Sequence, residues 1–106
     1  MHTHRVSASM RRKRDSALSS QIVRAAFSIP ANIVEGRRQE SEKEFARFLR
    51  IALNSAVELE YHLILARDIQ AMSESASDEL VHELIEVRRM IQGLLKKLRS
   101  TSPATR

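Results

Sequence analysis

A proline stands in the middle of an otherwise continuous helical rhythm. Leu18, Ile22, Ala25, Ile29 and Ile33 recur at spacings of three and four residues, which places them on one face of a helix. Val23, Ala26, Phe27 and Val34 widen that face. Pro30 removes a backbone donor and crowds the carbonyl of Ala26, at about 3 kcal/mol. It also biases Ile29 away from helical geometry. Because the rhythm continues on both sides, the segment predicts one helix over about 15–35, kinked at Pro30, rather than two elements. Gly36 is expected to supply the left-handed residue that closes it.

Two more helices follow. Ser41-Glu42-Lys43-Glu44 fits a capping box, with a serine cap and an acid three residues on. It opens the longest helix, about 41–71, whose stripe is Phe45, Phe48, Leu49, Ala52, Ala56, Leu59, Leu63, Ala66 and Ile69. The small residues Ala52, Ser55 and Ala56 let another helix approach closely. A polar turn, Ser73 to Ser77, leads into a helix over about 78–99 carrying Leu80, Leu84, Val87, Ile91, Leu94, Leu95 and Leu98. Gly93 inside it marks either a tight contact or a tolerated exposed position. With two glycines, two prolines and no alternating strand pattern, the 106-residue chain reads as one all-α domain, an up-down helical bundle. Three wide apolar faces in so small a chain leave surface to be covered by a fourth element or a neighbouring subunit.

Charge is distributed in blocks. Residues 1–14 hold five bases and no acid, and with few apolar groups they read as a disordered basic arm. Residues 51–86 set Arg67 alone against eight acids, and residues 87–106 hold six bases and no acid. The domain is therefore expected over 15–100, with 101–106 as a disordered tail. The absence of cysteine removes disulfides and thiolate chemistry. Without a membrane-length apolar run or an apolar leader, the expected setting is cytoplasmic, with no membrane role.

Residues 15–100 resemble the bacterial four-helix-bundle family of 23S rRNA-intervening-sequence proteins. The resemblance lies in Ser20 to Ala26, in Ser28-Ile29-Pro30-Ala31-Asn32-Ile33-Val34-Glu35-Gly36, in Lys43 to Leu49 with Ile51-Ala52, in Glu58 to Leu63 and in Arg89 to Leu95. An in-helix proline followed by Asn-x-x-Glu-Gly is an unusual combination. The resemblance implies a left-turning up-down bundle that assembles as a homopentamer. The same fold serves the accessory proteins of diversity-generating retroelements, basic pentamers that bind nucleic acid and a reverse transcriptase. Two departures stand out. Asn54 replaces the glycine that precedes the serine of the family's third helix. The family's first helix, which should lie before Asp15, is missing or degenerate.

Asn32 and Glu35 share a helical face beside Pro30, where they face a polar site or satisfy backbone groups released by the proline and the helix end. Pro30, Asn32, Glu35 and Gly36 thus form a structural motif. The candidate nucleic-acid contacts are Arg11, Arg12, Lys13 and Arg14 on the arm, with Arg24, Arg37, Arg38, Lys96, Lys97 and Arg99 as a basic rim. Glu40, Glu42 and Glu44 lie close enough in sequence to offset part of that charge. The four aromatics fall mainly on core stripes, so contacts should go to phosphates rather than stacked bases. Glu79-x-x-His82 has the spacing of a di-iron bundle but no second copy, and no metal or cofactor is expected. His62, four residues after Glu58, is expected to pair with it at the surface. No nucleophile motif or phosphate-cradling loop is present. The sequence reading is a non-catalytic oligomeric scaffold or accessory factor for nucleic acid or a nucleic-acid enzyme. The alternative is a protein–protein interaction module with no nucleic-acid role.

Overall fold

The computed structural model describes residues 2–101, with side chains described for residues 9–99. Three helices form in chain order: α1 (His2–Arg37), α2 (Glu42–Asp68) and α3 (Glu74–Thr101). The arm expected to be disordered is instead the first third of α1, which runs as one helix through Pro30. The physical reason is that extending a helix costs far less than starting one. The anchored stripe from Leu18 onward supplies the nucleus, and Ser7 to Arg14 contain no glycine or proline to stop its growth. Residues 102–106 of the expected tail lie outside the described residues.

α2 is the central element. Ser28 of α1 meets Ser55 of α2, and Gly36 meets Phe45 and Phe48, so the two helices run antiparallel. Glu60 and Leu63 of α2 meet Arg88 and Ser77 of α3, again antiparallel. α1 and α3 each pack on α2 and barely touch one another. The result is a rod of 67 × 23 × 20 Å. Its core is Leu18, Ala25 and Ile29 from α1, Leu49, Ala52, Ala56, Leu59, Leu63 and Ala66 from α2, and Leu84 and Ile91 from α3.

The helix ends show which local signals acted. Gly36 is helical, and no glycine among the described residues has a positive φ. Its role is close packing: a Cβ there would lie 2.9 Å from Phe45 Cδ1 and 2.9 Å from Phe48 Cβ. α1 is closed by two tightened turns, Arg38 N–H to Glu35 O and Gln39 N–H to Gly36 O, at 3.2 and 3.1 Å. Ser41 caps α2 by accepting from the Glu44 amide at 3.1 Å, while the Glu44 carboxylate accepts from Arg47 instead of reaching back. α2 stops three residues earlier than its apolar rhythm suggests. Gln70 takes a left-handed φ of 62°, and the amides of Ala71 and Met72 both turn back to Ala66 O. α3 begins at Glu74 rather than near 78, because Ser73 Oγ accepts from the Ala76 amide. That early start buries Ser77 completely, and its hydroxyl donates to Leu63 O at 3.0 Å.

Candidate interaction surfaces

The segment around Pro30 resolves into a small polar network at the α1–α2 contact. Asn32 Nδ2 donates to Ser28 O at 2.7 Å and to Ser28 Oγ at 3.0 Å, and Ser28 Oγ shares a 2.7 Å hydrogen bond with Ser55 Oγ. Asn32 therefore bonds a backbone carbonyl of the proline turn, although not the Ala26 carbonyl that Pro30 leaves without its partner. Glu35 serves the helix end: its carbonyl and its carboxylate both accept from Gln39 Nε2, at 3.1 and 3.3 Å. Asn32, Ser28 and Ser55 satisfy one another between two helices, and Glu35 is exposed. The arrangement ties α1 to α2.

The basic residues separate into two groups. Ser28 faces Ser55, and α2 ends thirteen residues beyond Ser55 at Asp68, so α1 residues before about residue 15 project past α2. Arg11, Arg12, Lys13 and Arg14 sit on this projection and are exposed. Arg14 pairs with Asp15 at 3.1 Å. Arg37, Arg38, Lys96, Lys97 and Arg99 gather at the opposite end, where Gly36 and Arg37 of α1 come close to Leu94 of α3. Glu40 and Glu42 line the same depression. Arg24 is exposed between the two groups and joins neither. The expected arm and the expected rim thus lie at opposite ends of one rod, with Arg24 outside the rim.

The acids of α3 occupy the half of the rod beside the projection. Glu74, Asp78, Glu79, Glu83 and Glu86 lie on the first half of α3, and all are exposed. Within this half, Arg88 and Glu60 form a 2.6 Å ion pair joining α3 to α2, with both side chains under one-third exposed. The Arg67 guanidinium, bonded to Asp68 and close to Asp78, is shifted further toward its charged form. Glu79 and His82 are exposed, and no group of three or more metal-ligating side chains occurs among the described residues. His62 does not pair with Glu58. It is half-buried, its Nδ1 is buried with no partner, and its ring meets the edge of Tyr61 at 5.6 Å.

The apolar surface expected to need a cover takes the form of a groove. Between α1 and α3 lies an open groove floored by Leu59 and Leu63 of α2 and walled by Ile22 and Ala26 of α1 and by Leu80, Leu84 and Val87 of α3. Glu83 is its only charged lining residue. No described helix is long and apolar enough to cross a membrane.

The chain matches the sequence pattern of the 23S rRNA-intervening sequence protein family over residues 1–93. It belongs to that family. The match extends through residues 1–14, the stretch in which no family helix is recognisable. Among solved structures, this family member is similar to a protein of unknown function from the S23 ribosomal protein family of Bacteroides thetaiotaomicron. The two are 30% identical, with a TM-score of 0.73 over 74% of this chain and 73% of the other. No curated protein sequence matches the chain. The 23S rRNA-intervening sequence fold is thus present here as three helices, with the polar network of Ser28, Asn32 and Ser55 binding the first two.

Proposed function

We propose that this chain is a non-catalytic, oligomeric scaffold or accessory factor that binds nucleic acid through phosphate contacts. The observation that carries the reading is the projecting end of α1. It presents Arg11, Arg12, Lys13 and Arg14 on an ordered helix, exposed and clear of the rest of the rod, with no acid before Asp15. A helical array of guanidinium and ammonium groups meets a phosphate backbone with little ordering cost, and its exposed charge is sequence-tolerant. The second basic group, near the ends of α1 and α3, adds a further point of contact. Repetition of such ends in an oligomer, a pentamer by family resemblance, multiplies their field. A nucleic-acid enzyme such as a reverse transcriptase is the natural protein partner of a factor of this kind.

The test is the salt dependence of RNA and DNA binding, followed by fluorescence anisotropy with nuclease-treated protein. Affinity should fall steeply with salt. The triple substitution Arg11→Ala, Arg12→Ala, Lys13→Ala should flatten the log–log slope by about 2 to 3, at roughly one unit for each phosphate no longer neutralised. Salt-insensitive binding, or none to either polymer, rejects the reading. The apolar groove favours a second reading, a protein–protein module with no nucleic-acid role. That reading expects no binding to either polymer and a protein partner retained after nuclease treatment.

A further inference from the structure

The cations on the projecting stretch of α1 lie on all of its sides. At about 100° per residue, Arg11, Arg12, Lys13 and Arg14 together encircle the helix, and all four are exposed. Arg14 is paired with Asp15, whereas Arg11, Arg12 and Lys13 have no ion-pair partner among the described residues. A helix that lies on one strand or one flat surface needs cations on a single face. Cations on opposite sides are satisfied together only where phosphates line both sides. From His2 to Arg14 the stretch offers about 20 Å of helix at 1.5 Å per residue, clear of α2. Behind it, Asp68 and Glu74 line a depression at the turn between α2 and α3, and Asp78 lies beside Arg67 of the same depression. These acids hold a polyanion off the body of the rod and leave the projection as the part it can approach.

We propose that the projecting end of α1 enters the major groove of double-stranded B-form DNA, where phosphates of both strands receive its cations. This inference rests on the phosphate reading above and adds the form of nucleic acid that the helix selects. Width decides between the forms. An α-helix with its side chains is about 10–12 Å across, and the B-form major groove is about 12 Å wide. The minor groove, at about 6 Å, excludes a helix. The deep, narrow major groove of an RNA duplex excludes it as well. A single strand offers one line of phosphates and is held largely by stacking on aromatic side chains, and no Phe, Tyr or Trp precedes Phe27. No acid precedes Asp15, so no carboxylate on the inserted stretch repels the groove walls.

Fluorescence anisotropy with the nuclease-treated full-length protein compares labelled probes of equal length and sequence. These are a DNA duplex, an RNA duplex, single-stranded DNA, and a DNA duplex whose major groove is filled by glucosylated hydroxymethylcytosine. The plain DNA duplex should bind about tenfold tighter than each of the others, because docking outside the groove forfeits the phosphate contacts of one wall. The variant Ser16→Pro separates helix from charge. It keeps every basic residue, and proline is tolerated at the start of a helix but blocks growth back past it, so α1 restarts just ahead of its core stripe. Ser16 is exposed, and circular dichroism with a thermal melt checks that the rod stays folded. Ser16→Pro should bind the probes almost equally, with its salt dependence preserved. Salt-dependent wild-type binding of equal strength to all the probes, or a DNA-duplex preference retained by Ser16→Pro, overturns the major-groove docking and leaves the phosphate reading standing. Binding to none of the probes, or binding indifferent to salt, overturns both.

Discussion

The two sides of α1 use similar residues to different ends. On the α2 side, Ala25, Ile29, Ala52, Ala56 and Gly36 bring two backbones close, and the polar atoms of Ser28, Asn32 and Ser55 are paired within the contact. On the α3 side, Ile22 and Ala26 look across an open groove, and Val23 and Phe27 stand in solvent. Small residues with an internal polar network complete the first contact within the chain. Larger apolar residues with nothing opposite them leave the second side open to solvent. Apolar periodicity therefore reports how much of a helix is to be covered, and only the residue sizes and charges beside it indicate by what.

That contrast can be broken by cutting into each side. Leu49, fully buried against α1, should lose about 3 kcal/mol on Leu49→Ala, within the range for buried leucines. Leu80→Ala, on the wall of the open groove and 42% exposed, should cost less than about 1 kcal/mol. Urea denaturation monitored by circular dichroism measures both, and equal losses would show that the groove is packed as tightly as the α1–α2 contact. Gly36→Val should cost about 2 kcal/mol, because its new atoms meet Phe45 and Phe48 where there is no room. Gly36→Val at wild-type stability would remove close approach as the reason for that glycine.

Smaller effects of opposite sign sharpen the picture. Gln70 holds a left-handed φ of 62°, so Gln70→Gly should stabilise by about 1 kcal/mol, since only glycine adopts this region without cost. Gly93 lies on α3 with open space around it: nothing stands within 4 Å of the position a methyl group would take. Gly93→Ala should therefore raise the thermal midpoint modestly, by up to about 1 kcal/mol of helix propensity. A loss of stability at Gly93→Ala would mean that another chain packs closely there.

The three helices and their buried stripes were legible because the relevant spacing is local. Leu49, Ala52, Ala56, Leu59 and Leu63 announce one face without reference to any other element. The ends were less legible. Gln70 is neither glycine nor asparagine, so nothing in its identity marks it as the left-handed stop of α2. Ser77 read as part of a polar turn, and only its long-range bond to Leu63 O explains why it is buried. The first fourteen residues lacked a core stripe, yet a helix already nucleated at Leu18 extends back to His2 without needing one. Of the candidate nucleic-acid residues, chain order suggested an arm and a rim but not how far apart they lie. The antiparallel path separates Arg11 to Arg14 from Arg37, Arg38 and Lys96 by most of the length of the rod. The groove required three helices to be placed at once. Its sequence signal was the width of the apolar arc on α1, from Ala25 round to Phe27.

The proposed function calls for assembly of several copies of the chain. Light scattering of the nuclease-treated wild type at high salt tests it most directly, because salt removes charge-driven clustering and leaves apolar contacts standing. The account predicts a single species whose mass is a whole-number multiple of 12.1 kDa. A stable 12.1 kDa monomer, with Phe27 and Val34 left in water, would contradict it.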